Sequence, residues 1–123
     1  MTMNYYTTRE QAIKLAKIVS DDTADMSYID GEPTLKPYTK AMIYVEEHKE
    51  ILPCWSAGRV MQLLPSAIEV EGKEYFPEWR KTVSWGVFYV RQGNCVIMFK
   101  IGDLIEICIA MLEDLKEGGY LDE

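Results

Sequence analysis

Apolar residues are most concentrated in two runs between positions 83 and 101. Residues 83–90 and 95–99 are rich in β-branched and aromatic side chains, which favour strands. A turn at residues 91–94 contains a Gly-Asn pair that tolerates positive φ, so this region predicts a β-hairpin. Residues 68–71 alternate apolar and polar side chains, a tight turn at 72–73 follows, and residues 74–76 begin the return strand. Together these segments predict an antiparallel meander of about four strands.

The chain then predicts an unusually apolar helix between Asp103, a good N-cap, and Gly118, a good C-terminal stop. At about 100° per residue its apolar side chains occupy an arc about 200° wide. They are Leu104, Ile105, Ile107, Cys108, Ile109, Met111, Leu112 and Leu115. One sheet face does not normally cover so wide an arc, so we expect another helix or a second copy of the chain to pack on it.

Two further helices carry clear end signals. Thr8 followed three residues later by Gln11 is a capping box, and it predicts an N-terminal helix. Ser56 is a good N-cap for a short helix that Pro65 stops about two turns later. Residues 38–51 stay ambiguous, because their first half favours a strand and their second half a helix or a solvated turn.

These elements predict one α+β domain over residues 1–123, with the meander packed against three helices: N-terminal, central and C-terminal. A short strand at residues 26–29 would lie in an otherwise irregular stretch from 21 to 37. A chain of 123 residues can bury a real core without disulfides or metals. Its apolar content of 48% and charged content of 27% are typical of a globular protein.

Charge and targeting signals narrow the class of protein. Thirteen basic and twenty acidic side chains give a net charge of −7 with no basic cluster, which disfavours direct binding of nucleic acid. The chain shows no apolar stretch long enough to span a membrane and no secretory start, so we expect a cytoplasmic protein. Three cysteines in apolar contexts suit reduced thiols better than a disulfide framework.

Candidate chemistry is sparse. No metal-ligand spacing, phosphate-binding loop or cofactor motif is present, so we expect no metal and no cofactor. Cys54 precedes a helix N-terminus, where a thiol pKa can fall, and His48 is a conceivable base. Apolar packing of Cys54 around the helix start explains the same pattern, and we favour that interpretation over a catalytic thiol.

Aromatic residues offer a possible partner surface. Trp79 lies beside a proline and among charged residues, which predicts an exposed edge or loop suited to a partner. In the strand at 83–90, one face carries Val83, Trp85, Val87 and Tyr89, while Phe88 and Val90 on the other face are also apolar. This two-sided pattern predicts that both faces are covered, in part by another chain.

Three segments stand out: residues 23–28 (T-A-D-M-S-Y), residues 53–59 (P-C-W-S-A-G-R) with 63–65 (L-L-P), and residues 112–121. They resemble a family of small uncharacterised proteins encoded in prophages and other mobile elements of gut anaerobic bacteria. The resemblance spans nearly the whole chain and implies a setting rather than a mechanism, so no catalytic residue is carried over from it.

The sequence therefore favours an accessory protein of a phage or mobile element that binds another protein or itself. The first alternative is a small enzyme whose pocket is assembled from residues of the family-like motifs: Asp25, Tyr28, Cys54 and Arg59. The second alternative is an acidic mimic of nucleic acid that occupies a basic, DNA-binding protein. Each alternative makes a different use of the same acidic chain.

Overall fold

A computed structural model describes residues 5–91 and 95–121. The chain divides into two compact units, residues 1–60 and 61–123. The prediction of a single domain over residues 1–123 stays a prediction. The Gly-Asn turn predicted between the two main strands falls on residues 92–94, which lie outside the described residues.

The first unit opens with helix α1, Arg9–Ala16, and its predicted capping box is confirmed. The Gln11 amide donates to Thr8 Oγ1 at 3.1 Å, and the Thr8 amide donates to Gln11 Oε1 at 2.9 Å. Ala12 and Leu15 are buried, whereas Ile13 is exposed. A 3-10 turn at Asp21–Thr23 follows.

The same unit contains a three-stranded antiparallel sheet in the order β2-β1-β3. Its strands are β1, Met26–Ile29, β2, Glu32–Thr34, and β3, Ile51–Cys54. The sequence predicts only β1, because Pro33 and Pro53 argue against strands at the other two positions. Both prolines lie on edge strands, which tolerate the missing N–H donor of proline better than a central strand does.

A two-residue turn at Asp30 and Gly31 joins β1 to β2, with φ values of 50° and 86°. Positive φ at both positions is the geometry of a type I′ hairpin turn, which favours Asp-Gly. The Asp30 carboxylate accepts the Lys49 and Glu50 amides at 2.7 and 3.0 Å and contacts His48 Nδ1 at 3.0 Å. These bonds hold residues 48–50, which precede β3, against the turn between β1 and β2. They also lower the pKa of Asp30.

The ambiguous stretch 38–51 is helical in its first part. Helix α2, Tyr38–Ala41, packs against β1 and β3 and is followed by a 3-10 segment, Met42–Glu47. That segment leaves Ile43, Tyr44 and Val45 exposed. Helix α3, Ala57–Leu63, lies between Ser56 and Pro65 as predicted, and the Arg59 amide donates to Ser56 Oγ at 3.2 Å.

The second unit contains a four-stranded antiparallel sheet in the order β4-β5-β6-β7, which confirms the predicted meander. Its strands are β4, Ile68–Val70, β5, Lys73–Lys81, β6, Trp85–Arg91, and β7, Cys95–Gly102. The first turn is Glu71-Gly72 rather than 72–73, with φ values of 53° and 78°. Val83 lies in the turn before β6 and is 96% exposed, so it does not line the inner face.

Helix α4, Leu104–Glu117, packs against β6 and β7. All eight residues of the predicted apolar arc are buried within one chain, so the arc does not require a second copy to cover it. An ion pair between Lys100 Nζ and Asp114 at 2.7 Å ties β7 to the helix, and the Tyr89 hydroxyl donates to the Pro65 carbonyl at 2.8 Å.

Within residues 5–91 and 95–121, no helix combines the length and the apolar composition that crossing a bilayer requires.

Candidate binding surfaces

Four of the five residues singled out in the sequence lie close together in the first unit. Asp25 immediately precedes β1, and Ser56 follows β3, because the register pairs Met26 with Cys54. The Asp25 carboxylate accepts the Ser56 amide at 2.9 Å through Oδ1 and the Ser56 hydroxyl at 2.6 Å through Oδ2. Both carboxylate oxygens thus hold the residue that caps α3.

Arg59 extends this network from the first turn of α3. Its Nε donates to the Thr23 carbonyl at 2.7 Å, and the Thr23 hydroxyl accepts the Trp55 indole N–H at 2.9 Å. Trp55 is completely buried. The family-like segments around residues 23 and 55 therefore bind each other, and Arg59 fastens α3 to the chain that precedes β1.

Cys54 and Tyr28 meet at Thr7, a residue that the sequence did not single out. The Thr7 hydroxyl approaches Cys54 Sγ at 3.6 Å, and the Tyr28 hydroxyl donates to the Thr7 carbonyl at 2.7 Å. Thr7 also exchanges two hydrogen bonds with the backbone of Trp55, at 2.8 and 3.1 Å. These contacts attach the N-terminal segment to the end of β3.

Burial governs the acid–base behaviour of this cluster. It raises the pKa of the Cys54 thiol; the hydrogen bond from Thr7 lowers this pKa by less, and the nearby Asp25 carboxylate raises it by a still smaller amount. Burial likewise raises the pKa of Tyr28 to about 12, assisted by Cys54. A buried neutral thiol is a poor nucleophile, because the thiolate is the reactive form. His48, the conceivable base, is bonded to Asp30.

Trp79 is placed differently from its prediction. It lies within β5 rather than in a loop and pairs with the buried Val87 of β6, whereas β4 pairs only with residues 73–75 of β5. Its indole nitrogen is buried and faces the Cys108 thiol of α4 without meeting full hydrogen-bond geometry. Burial raises the pKa of Cys108 to about 11, against a smaller lowering by the indole. Trp79 therefore belongs to the inner face of the sheet.

The opposite face of the sheet carries the exposed apolar surface. Cross-strand register places three rows of residues there: Phe76, Val90 and Val96; Glu78, Phe88 and Phe99; Arg80, Gly86 and Ile101. We call these nine residues the outer face. Within a single chain this face is not covered, since Phe99 is 59% and Ile101 63% exposed, and its coverage by another chain stays a prediction.

Charge on the outer face is confined to β5. Glu78 and Arg80 form an ion pair at 2.7 Å, and the Arg80 guanidinium lies 4.9 Å from the centre of the Phe88 ring. The Phe88 and Phe99 rings stack with centroids 6.0 Å apart. The part of the outer face on β6 and β7 is therefore uncharged and aromatic. The two-sided apolar pattern of residues 83–90 was the sequence signal for this exposed surface. That pattern does not indicate which face of the sheet the helix covers.

No group of three or more histidine, cysteine or carboxylate side chains lies together as a potential metal site within residues 5–91 and 95–121. All three cysteines are free thiols: Cys54 and Cys108 are buried and Cys95 is exposed.

Comparison with known proteins gives no match: no family model fits the chain, and neither a similar curated protein nor a similar solved structure was found.

Proposed function

We propose that this chain is a non-enzymatic accessory protein that acts in the cytoplasm by binding another protein, or itself, through the outer face. The observation that carries the proposal is the exposed, uncharged, aromatic surface on β6 and β7. Surfaces of this kind mark protein-binding sites in folded proteins. The resemblance to mobile-element proteins suggests a phage or mobile element as its setting.

The contacts of the first unit support this proposal over the enzyme alternative. Asp25 and Arg59 form hydrogen bonds with Ser56 and Thr23, and the Cys54 thiol is fully buried. Groups used in this way hold a fold together, whereas catalytic groups must reach a substrate. The four residues are therefore proposed to position β3 and α3, and their place in the family-like motifs follows from that role.

Binding of a hydrophobic dye tests whether the outer face is accessible. The wild-type chain should enhance dye fluorescence, and Phe99→Glu should reduce that enhancement sharply because it charges the centre of the apolar surface. Val83→Glu is the matched control, since Val83 is fully exposed but lies outside the outer face. A wild-type chain that binds no dye, or a Phe99→Glu chain that binds as much as wild type, would reject the outer face as a binding surface.

A further inference from the structure

We infer that a second copy of this chain pairs antiparallel along the edge of β7, so that two sheets become one and the two outer faces form one continuous surface. The inference rests on the proposed function and names its partner. β7 is the last strand of its sheet, and no strand pairs with its outer edge among the residues that the structure describes. Such an edge presents unpaired amides and carbonyls to any strand laid beside it.

β7 lacks the charge that usually protects an edge strand. Lys100 is its single charged residue, and it points to the inner face, where it pairs with Asp114 at 2.7 Å. The one protective irregularity is the bulge at Ile97, because Tyr89 pairs with Met98 and Val90 with Val96. The regular stretch from Met98 to Ile101 is left available for pairing.

Two chains of net charge −7 repel each other, yet the surface around β7 does not suit an oppositely charged partner either. A basic protein would be drawn to a chain of net charge −7, but it would find no unpaired acid on the outer face, where Glu78 is already bonded to Arg80. A neutral apolar strand fits this surface better, and β7 of a second copy is one. A two-fold axis lets the same surface supply both sides of the contact.

The register of the pairing follows from keeping the two outer faces together. Directly opposed residues of antiparallel strands have their side chains on the same face of the sheet. If both outer faces are to lie on one side, the two-fold axis must therefore pass between the two copies of one residue. An axis at Lys100 would set two lysines directly against each other, which is unfavourable. An axis at Phe99 instead places Phe99 opposite Phe99 of the second copy and Lys100 opposite Met98. The geometry therefore assigns Phe99 to the axis.

The exposed apolar area of the outer face limits the expected affinity of the dimer. The four most exposed apolar residues of the outer face are Phe76, Val96, Phe99 and Ile101, at 43–63% exposure. They present on the order of 400 Å² of apolar surface, which is within the range of the largest patch on a typical monomer. A stable complex buries about 800 Å² on each partner, and edge pairing covers only the part of this patch along β7, so we expect a reversible dimer with a micromolar or weaker Kd.

Sedimentation equilibrium over a range of chain concentrations tests the inference. Wild type should shift from monomer to dimer, and added salt should strengthen the dimer because it screens repulsion between two acidic chains. Ile101→Glu should raise the Kd at least about tenfold, whereas Val83→Glu, with the same added charge, should change it little. A wild-type chain that stays monomeric to about 1 mM overturns the inference. A dimer that Ile101→Glu leaves unchanged also overturns it.

Cross-linking separates edge pairing from stacking of the two outer faces. In a Cys95→Ser background, oxidation of Phe99→Cys with diamide should give a disulfide-linked dimer. Phe76→Cys should not, because Phe76 lies two strands away from the edge, about 10 Å. Cross-linking at position 76 but not at 99 overturns the edge geometry. Dye binding without dimerisation would leave the proposed function standing with a different protein as partner, whereas absence of both would remove it as well.

Discussion

The Phe88 ring occupies the space that the absent side chain of Gly86 leaves open. Both residues lie on the outer face of β6, two positions apart. A Cβ atom at position 86 would lie 2.7 Å from Cε2 and 3.0 Å from Cζ of the ring. The glycine thus allows the ring to lie flat over the strand, beneath Arg80 and beside Phe99.

Gly86→Ala should destabilise the protein even though alanine suits a strand better than glycine. Removing glycine from a strand gains about 0.5–1 kcal/mol in backbone entropy. Displacing the Phe88 ring loses its stacking on Phe99 and its contact with Arg80, each worth about 0.5–1 kcal/mol. We expect a net loss of about 1 kcal/mol in the free energy of unfolding, measured by urea denaturation.

Gly58→Ala supplies the control for this experiment. Gly58 lies in α3, and a Cβ atom added there would meet nothing within 4 Å, so its replacement should stabilise the chain by about 0.5–1 kcal/mol. In a Phe88→Leu background, Gly86→Ala should lose most of its effect, because leucine has no ring to displace. Equal losses in both backgrounds would show that the ring is not the cause.

Features set by neighbouring residues were predictable from the sequence. The capping box of Thr8 and Gln11, the cap at Ser56 and the order of the meander all depend on short-range geometry. β3 was missed because a proline argues against a strand unless the strand is known to lie at an edge, which is a property of the whole sheet. The burial of the Trp79 indole nitrogen was missed because the charged neighbours Glu78 and Arg80 point to the opposite face.

The candidate surfaces were predictable only in part. Asp25 and Ser56 lie 31 residues apart, and they meet because β1 pairs with β3 in one particular register. No local pattern encodes that register when β3 itself goes unrecognised. The two-sided apolar pattern of β6 was visible, but which face stays open depends on where α4 packs, and that depends on the complete sheet.

The Asp25–Ser56 pair should be a substantial source of stability in the first unit. Asp25→Ala removes two hydrogen bonds to a carboxylate and should cost about 2 kcal/mol in the free energy of unfolding. Ser56→Ala should cost about 1 kcal/mol through loss of the cap on α3. Because the two residues act on each other, the double variant should lose less than the sum of the single losses. Additive losses in a double-mutant cycle would contradict the direct coupling.

The three cysteines should react with iodoacetamide in two separate classes. Cys95 is exposed and should be alkylated in the native protein, whereas Cys54 and Cys108 are buried with raised pKa values. Their alkylation should therefore require unfolding and follow its rate. Mass spectrometry after timed labelling distinguishes one modified site from three. Rapid native labelling of Cys54 would instead favour the enzyme alternative, with a reachable thiol beside Arg59.

Tyr28 should make the protein sensitive to alkaline pH. Its pKa rises from 10.0 to about 12 in the folded chain, so folding favours the protonated phenol. This contribution is fully present below pH 10 and is lost as the pH rises from there through about 12. Tyr28→Phe should cost about 1 kcal/mol at neutral pH, because the hydrogen bond to the Thr7 carbonyl disappears, and should fall less steeply in stability above pH 10. Urea titrations at a series of pH values measure both effects. A variant with the same alkaline slope as wild type would assign that slope to other groups with raised pKa values, such as Cys108 and Tyr89.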